Sequence, residues 1–267
     1  MARYTDKTIV VTGASVGIGR ALCLALAPQR PRLVLAARDE ARLHEVAEEC
    51  RRLGAQALVA PTDVAEEAQC RTLVERAIAH FGGVDVLVNN AGLSMWARLD
   101  ELTDLSIYER IMRVNYLGCV WLTHAALPDL KRSRGQIVVV GSLLGFTGAP
   151  TRTGYAASKH AVNGFFDSLR IELMGTGVDI TMVAPDFVVT EIHKRSVGKD
   201  GLPLGETPMQ ESKIMTAEEC AAMILKGMSA RQRLVIGSLR GKLGRFVRLF
   251  APTFIDNVAR RAIARGR

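Results

Sequence analysis

Short apolar runs alternate with longer amphipathic segments along most of the chain. Apolar runs rich in β-branched residues predict buried strands, and apolar residues spaced three or four apart predict helices. Seven strands are predicted in this way, at KTIVVTGAS (7–15), RLVLAAR (32–38), QALVAPTD (56–63), VDVLVNNAG (84–92), GQIVVVGS (135–142), VDITMVAP (178–185) and RLVIG (233–237). Helices are predicted between them, at 17–27, 39–54, 65–82, about 103–127, 154–174 and 216–228.

This alternation predicts an α/β fold, a doubly wound parallel seven-stranded sheet with helices on both faces, in a single domain. Parallel strands need crossover connections and are buried on both faces, which agrees with their uniformly apolar runs. Ligands of such sheets bind beyond the carboxyl ends of the strands. We therefore predict a dinucleotide-type domain over residues 1–239, with a substrate lid at about 187–215 where the pattern is lost. Residues 240–267 form a basic amphipathic extension.

A chain of 267 residues with 48% hydrophobic residues is typical of a globular protein. Its five cysteines are widely spaced and form no zinc-binding pattern, so we expect reduced, mostly buried thiols and no metal site. No apolar run approaches the ~20 residues of a membrane span, and the first residues contain no long apolar segment. We therefore predict a cytoplasmic protein.

The net charge of +8 is concentrated at one end of the chain. Residues 231–267 contain ten arginines and lysines and one acid, Asp256, whereas the 230 residues before them carry 25 basic and 26 acidic side chains. Apolar residues and arginines alternate in residues 239–267 at roughly helical spacing, interrupted at Pro252. Such a segment either lies on an anionic membrane surface or packs over the substrate entrance or a neighbouring subunit, and we favour packing. No nucleic-acid-reading motif accompanies the charge, so no nucleic-acid partner is expected.

The sequence TGASVGIG places three glycines between the first strand and the first helix. Glycines there let the backbone approach a pyrophosphate closely, and the helix N-terminus supplies N–H donors. A phosphate loop of the GxxxxGK[ST] type is excluded, because Arg20 stands in place of the lysine. The predicted cofactor contacts in this loop are Gly13, Ser15, Gly17, Ile18 and Gly19.

The end of the second strand favours NADP over NAD as the dinucleotide. An acid there would hydrogen-bond the ribose 2′-hydroxyl, whereas an arginine would pair with a 2′-phosphate. Here Ala37 is followed by Arg38, and Asp39 is either a helix cap or a ribose ligand, which leaves NAD possible. After the third strand, Asp63 either accepts a hydrogen bond from the adenine amino group or caps the next helix. Its neighbour Val64 is also a predicted cofactor contact.

The segment GYAASKHAVNGFF places Tyr155 and Lys159 one helical turn apart on one face. A tyrosine exchanges protons poorly at neutral pH, because the pKa of a phenol is about 10. A lysine ammonium one turn away and a positively charged nicotinamide ring both lower the pKa of such a phenol. The pair therefore predicts a general acid/base.

Together these residues resemble the short-chain dehydrogenase/reductase family over about residues 7–190. The resemblance rests on TGASVGIG, NNAG (89–92), Asn115, Ser142 and the Tyr155-x-x-x-Lys159 pair, in the order and rough spacing of that family. It implies a Rossmann fold, hydride transfer between nicotinamide and a carbonyl carbon, and a homodimer or homotetramer. A looser likeness of HAVNGFFDSLRIEL favours the branch of hydroxysteroid dehydrogenases and carbonyl reductases.

The resemblance implies a role for each matching residue. Tyr155 would be the acid/base, Lys159 would hold the nicotinamide ribose, Ser142 would orient the substrate oxygen, and Asn115 would support a water chain to Lys159. The further cofactor contacts it implies are Asn90, Ala91, Gly92, Pro185, Val188 and Thr190. One departure from the family is Asp186, which stands where a glycine commonly follows the proline.

The candidate substrate-pocket residues are mostly apolar, although core packing is an equally good interpretation of each. They are Met95, Trp96, Leu143, Leu144, Phe146, Phe187 and Ile192. They predict an NADP-dependent oxidoreductase of a hydrophobic secondary alcohol or ketone. Two alternatives stay open. One is a 3-oxoacyl-carrier-protein reductase, whose acidic carrier protein would bind the basic surface. The other is a non-catalytic nucleotide-sensing module. A module of that kind does not need the catalytic set, which is intact here as Asn115, Ser142, Tyr155 and Lys159.

Overall fold

The computed structural model describes residues 3–207 and 214–264. Its seven strands form one sheet in the order β3-β2-β1-β4-β5-β6-β7, and every neighbouring pair is parallel. The strands are β1 Thr8–Thr12, β2 Arg32–Ala37, β3 Gln56–Pro61, β4 Val86–Asn89, β5 Gln136–Val140, β6 Asp179–Ala184 and β7 Leu234–Ile236. The predicted doubly wound sheet is confirmed. The order of strands reverses between β1 and β4, where doubly wound sheets bind their ligands.

Helices connect the strands and cover both faces of the sheet. They are α1 Gly17–Leu26, α2 Glu40–Arg52, α3 Glu67–Phe81, α4 Ser106–Met112, α5 Gly118–Ser133, α6 Thr153–Glu172, α7 Ala217–Ser229, α8 Leu239–Arg248 and α9 Pro252–Ala264. Alternate residues of β1 point to opposite faces: Ile9 and Val11 pack in one core cluster and Val10 in another. All three are fully buried, which explains why the strand is apolar without alternation.

The helical stretch predicted to end near Leu127 continues to Ser133. It comprises α4, a π-helical segment at Arg113–Leu117 and α5, and Pro128 lies inside α5. The proline removes one backbone hydrogen bond, but Leu122, Ala126 and Leu130 bury the inner face of α5 on both sides of it. Tertiary packing therefore carries the helix past the residue that was expected to end it.

Short backbone bridges hold the predicted lid in place. Val197 pairs with Met95 of the body, whereas the bridges Val188–Met215 and Val197–Pro203 lie within the predicted lid itself. Residues 208–213 of the predicted lid lie outside the described residues. The five cysteines are free and buried, as expected, and burial raises the pKa of Cys119 to about 11. Within the described ranges there is no cluster of metal-ligating side chains and no helix long and apolar enough to cross a membrane.

Candidate active site

The candidate residues meet along the carboxyl edge of the sheet. The glycine loop follows β1, the Asn89–Gly92 segment follows β4, Ser142 follows β5, and the Pro185–Thr190 segment follows β6. These four strands are consecutive in the sheet. The topology therefore gathers residues from Gly13 to Thr190 around the reversal of strand order.

The glycine loop is a close-fitting backbone cradle. Gly13 and Gly17 have φ of 65° and 55°, which a side chain disfavours. A Cβ on Gly19 would lie 2.1 Å from the carbonyl oxygen of Gly13, and one on Gly17 would lie 3.1 Å from Cγ2 of Thr190. Ser15 is buried and Ile18 packs partly on the core. The three glycines are thus required by space or by backbone geometry.

Asn90 holds the glycine loop against the end of β4. Its Nδ2 donates to the carbonyl oxygens of Thr12 (2.8 Å) and Gly13 (3.3 Å), and its backbone N–H donates to Thr12 Oγ1 (3.0 Å). The N–H of Ala91 donates to the same hydroxyl at 3.1 Å. Gly92, the last residue of the motif, lies beside Asn115, with Oδ1 3.6 Å from where a Cβ would stand. Asn90 therefore fixes the cradle against the end of β4.

Arg38 and Asp39 have different surroundings at the end of β2. The carboxylate of Asp39 accepts a hydrogen bond from the backbone N–H of Arg42 (3.1 Å) and pairs with Arg42 Nε at 3.3 Å. Asp39 is therefore the N-cap of α2. Arg38 is exposed, and its guanidinium has no hydrogen-bond or ion-pair partner in the described parts of the chain. Arg42 also pairs with Glu191 (3.0 Å), which ties the predicted lid to this edge.

Asp63 does not cap the following helix, contrary to one of its two interpretations. Helix α3 begins at Glu67 with Glu66 as its N-cap. The Asp63 carboxylate accepts instead from the N–H of Ala65 (3.0 Å), because a short aspartate side chain readily closes a turn with the residue two positions on. Val64 is buried, and its carbonyl oxygen packs against Gly118, 2.7 Å from where a Cβ would stand.

Tyr155 and Lys159 lie together at the start of α6. Lys159 Nζ is 5.7 Å from the centroid of the Tyr155 ring and donates to the carbonyl oxygen of Val140 at 3.0 Å. Lys159 is only 5% exposed, whereas Tyr155 is partly exposed. A buried ammonium beside an accessible phenol is unlike an ordinary surface pair, in which both long side chains would be solvated.

Ser142 lies just beyond β5 and caps a short turn. Its Oγ accepts from the N–H of Leu144 at 3.1 Å, which makes Ser142 the N-cap of this turn. This bond leaves the hydroxyl proton of Ser142 free to donate. Among the described residues, no hydrogen bond joins the Ser142 and Tyr155 side chains.

Asn115 connects the β4 edge to the helix that carries Tyr155. Its Oδ1 accepts from the N–H of Leu93 (2.7 Å), and its Nδ2 donates to the carbonyl of Leu93 and to Ser158 Oγ, both at 2.9 Å. Ser158 in turn donates to the carbonyl of Tyr155 at 2.7 Å. Asn115 is 1% exposed and lies in the π-helical segment, a feature common at functional sites. It is therefore not an ordinary polar helix residue.

The segment after β6 runs from the sheet edge to the glycine loop. Pro185 and Val188 are buried, and Thr190 contacts Gly17. Asp186 has an ordinary backbone conformation, since its φ is not positive. Its Oδ1 accepts from the N–H of Phe187 at 3.0 Å, and its Oδ2 accepts from the hydroxyl of Ser238 at 3.3 Å. Ser238 is the N-cap residue of α8. The aspartate therefore links this segment to the C-terminal helices.

The seven candidate pocket residues differ in burial. Met95 is fully buried and packs with Ile107, Ile111 and Val197, which favours the core interpretation for it. The remaining six are partly exposed along this edge, namely Trp96, Leu143, Leu144, Phe146, Phe187 and Ile192.

A buried cation that the sequence analysis did not single out lies beside Tyr155. Arg152 is 2% exposed and donates to Ser94 Oγ at 2.5 Å, and its Nε and Nη2 have no hydrogen-bond partner among the described residues. Its guanidinium stacks 3.9 Å from the Trp96 ring centroid and lies 6.0 Å from that of Tyr155. Burial lowers the pKa of Arg152 to about 10, so it is charged at neutral pH.

The charge of Arg152 also affects His193 of the predicted lid. Burial, followed by repulsion from Arg152, lowers the pKa of His193 to about 4, and its ring accordingly is neutral at pH 7. His193 Nε2 is 3.1 Å from the carbonyl oxygen of Val188, which fixes the proton on that nitrogen. Arg152 therefore adds a positive charge beside the predicted apolar residues, whereas His193 adds none.

A family model described as short chain dehydrogenase matches residues 7–200. The chain belongs to the short-chain dehydrogenase/reductase family. The resemblance drawn from the motifs is confirmed, and the match spans β1 to β6 with the candidate residues from Gly13 to Thr190.

Two curated members of the short-chain dehydrogenase/reductase family align with nearly the whole chain. 11-beta-hydroxysteroid dehydrogenase A of Sesamum indicum is 37% identical over 237 residues, which cover 88% of this chain and 66% of that protein. Dehydrogenase/reductase SDR family member 7B of Xenopus laevis is 34% identical over 258 residues, which cover 94% of this chain and 80% of that protein. The chain therefore spans about two thirds of the length of the sesame relative.

A solved structure of the same family shares the fold throughout. It is a short chain dehydrogenase/reductase from Burkholderia phymatum in complex with NAD, and it matches with a TM-score of 0.84 at 26% identity. The match covers 96% of this chain and 98% of that one. These comparisons support an oxidoreductase with a nicotinamide cofactor and leave the choice between NAD and NADP open.

Proposed function

We propose that the protein is an NADP-dependent oxidoreductase that interconverts a hydrophobic secondary alcohol and a ketone, with Tyr155 as general acid/base. The observation that carries this proposal is the placement of a partly exposed phenol beside a buried ammonium, at the edge of the sheet that holds the glycine cradle. A bound nicotinamide dinucleotide would supply or accept the hydride. The tight cradle fits such a group, since its glycines leave the space that a pyrophosphate needs.

Each residue then has a task in proton transfer. Tyr155 gives its proton to the carbonyl oxygen in reduction and takes it from the alcohol in oxidation. Lys159 and Arg152 place two cations 5.7 Å and 6.0 Å from the centroid of the Tyr155 ring. Ser142 donates its free hydroxyl proton to the same substrate oxygen and so orients it. The Asn115–Ser158 bonds hold the first turn of α6, and with it Tyr155, in a fixed position.

The proposed preference for NADP rests on the end of β2. Asp39 is occupied as a helix cap, whereas Arg38 is exposed and unpaired within the described residues, and Arg42 lies one turn further along. A 2′-phosphate would gain charge-assisted hydrogen bonds from Arg38, each contributing ~1.5–3 kcal/mol. NAD would lack this contact. The apolar residues around the edge favour a lipophilic substrate over a sugar.

Replacement of Arg38 by aspartate tests the cofactor assignment. We expect the wild-type protein to bind NADPH at least ~10-fold more tightly than NADH in a titration of nicotinamide fluorescence. Arg38→Asp should weaken NADPH binding by ~100-fold, because it removes an attractive charge and adds a repulsive one. NADH binding should change little.

The matched control is Arg71→Asp. Arg71 is an exposed arginine on α3 that does not belong to the end of β2, and its guanidinium lies 4.0 Å from the Glu67 carboxylate. The substitution changes the net charge by the same amount and should leave both affinities unchanged. Equal or tighter binding of NADH by the wild type would contradict the proposed preference for NADP.

A further inference from the structure

The C-terminal helix α8 has an apolar face that points to solvent. Leu239, Leu243 and Phe246 stand at i, i+4 and i+7 of α8, which places them in one stripe. Phe250, just past the end of α8, extends the stripe, since its ring centroid is 5.3 Å from that of Phe246. These four side chains are 84%, 63%, 61% and 76% exposed. Leu249 and Phe254 extend this apolar surface. Half of the exposed large hydrophobic side chains in the described residues thus lie between positions 239 and 254.

The opposite side of α8 holds the helix on the body of the protein. Gly241 is buried, and a Cβ there would lie 2.8 Å from Leu143. Arg245 lies over the ring of Phe146, 4.7 Å from its centroid, and Arg248 donates to Thr147 Oγ1 at 2.7 Å. Helix α8 therefore packs on the segment after β5, which carries the candidate pocket residues Leu143 and Phe146. The contacts of Gly241, Arg245 and Arg248 with the body leave the apolar stripe uncovered.

Cations border the exposed stripe. Arg240 and Lys242 are exposed on α8, and Arg260 and Arg261 are exposed on α9. The only acid in residues 231–267 is Asp256, against ten arginines and lysines. Contact between two copies of this surface would bring like charges together, which disfavours a second subunit as the occupant. An apolar stripe edged with cations instead matches the acyl boundary and headgroups of an anionic lipid surface.

We propose that α8 and α9 bind the surface of an anionic membrane, with the stripe Leu239, Leu243, Phe246 and Phe250 in the acyl boundary and the flanking cations at the phosphates. The helices lie in the plane of the interface and do not cross it. The rest of the protein stays in water, because α8 keeps its inward contacts with Leu143, Phe146 and Thr147. This interaction does not depend on the proposed oxidoreductase activity.

Vesicle flotation tests this surface. The full chain is mixed with vesicles of phosphatidylglycerol and phosphatidylcholine, or of phosphatidylcholine alone, and separated on a density gradient. The wild type should float with the anionic vesicles and much less with the neutral ones. Phe246→Ser/Phe250→Ser should lower the partition coefficient by ~100-fold, since each phenylalanine loses most of its burial in lipid. Arg240→Gln/Lys242→Gln should lower it by ~10-fold.

Ile171→Ser/Met174→Ser is the matched control. These two residues are 68% and 77% exposed at the end of α6, so the double substitution removes similar exposed apolar surface outside the proposed face. It should float like the wild type, and thermal unfolding should show that all variants are folded.

The proposal is overturned if the wild type does not float with anionic vesicles, or if the Phe246/Phe250 and Ile171/Met174 variants float equally. It is also overturned if the Phe246/Phe250 variant only converts an oligomer into a monomer in light scattering, which would identify the stripe as a subunit contact.

Discussion

Tyr155→Phe is expected to lower ketone reduction by ~10³-fold while NADPH still binds. The substitution removes a single oxygen, so the ring can keep its place near Lys159 and Arg152. What is lost is the proton donor for the substrate oxygen, and positioned proton transfer contributes ~10²–10⁴-fold to catalysis. Steady-state rates with a lipophilic ketone and a fluorescence titration with NADPH measure the two effects separately.

Tyr108→Phe is the matched control for that result. Tyr108 lies close to the same region, and its hydroxyl is 2.7 Å from Thr153 Oγ1 at the start of α6. The Tyr108→Phe substitution removes the same hydroxyl oxygen from a neighbouring tyrosine that has no part in the proposed proton transfer. Its rate should stay within a few-fold of the wild type. An unchanged rate in Tyr155→Phe would refute the assignment of Tyr155 as the acid/base.

Gly19→Ala is expected to weaken the binding of either dinucleotide by ~100-fold. The new Cβ would lie 2.1 Å from the carbonyl oxygen of Gly13 and 2.6 Å from Asn90 Nδ2, well inside van der Waals contact. The glycine loop must therefore shift, and the N–H groups that would bind the pyrophosphate shift with it. Loss of one or two charge-assisted hydrogen bonds corresponds to an effect of this size. Titration with NADPH and NADH measures the affinity, and thermal unfolding reports on the fold.

Gly164→Ala on α6 supplies the comparison. A Cβ on Gly164 would meet no atom within 4 Å, and its backbone is helical. Alanine is favoured over glycine in a helix by ~1 kcal/mol, so this variant should bind the dinucleotide normally and be at least as stable as the wild type. Equal affinities of the Gly19 and Gly164 variants would show that the loop does not hold the pyrophosphate.

Most of the sheet could be predicted because its strands are buried on both faces. The strand Thr8–Thr12 is buried throughout, and its three central residues are all apolar β-branched residues, a pattern that can be recognised in the sequence alone. The place where the candidate residues meet followed from the same topology. Helix α5 was less predictable, since its continuation past Pro128 depends on packing against α3 and the sheet, which no local pattern records.

Arg152 shows what the sequence could not reveal about the candidate site. An arginine between Thr151 and Thr153 resembles any surface cation, and only the contacts of Ser94 and Trp96 from a distant loop bury it. A signal was available in its position, three residues before Tyr155, where it is the N-cap residue of α6. The orientation of the apolar face of α8 could not be predicted from the sequence either. Helical spacing predicted a stripe, but which side of the helix faces the body depends on the contacts of Gly241 with Leu143.

The most direct test of the proposed function follows deuterium from NADPH to a product alcohol. The wild-type protein is incubated with a lipophilic ketone and with NADPH deuterated on one or the other face of nicotinamide C4, and the alcohol is analysed by mass spectrometry. Hydride transfer predicts one deuterium on the carbinol carbon, from one C4 face only. If the protein binds NADPH but gives no labelled alcohol from either face with any of a graded series of lipophilic ketones, the result contradicts the proposed oxidoreductase activity.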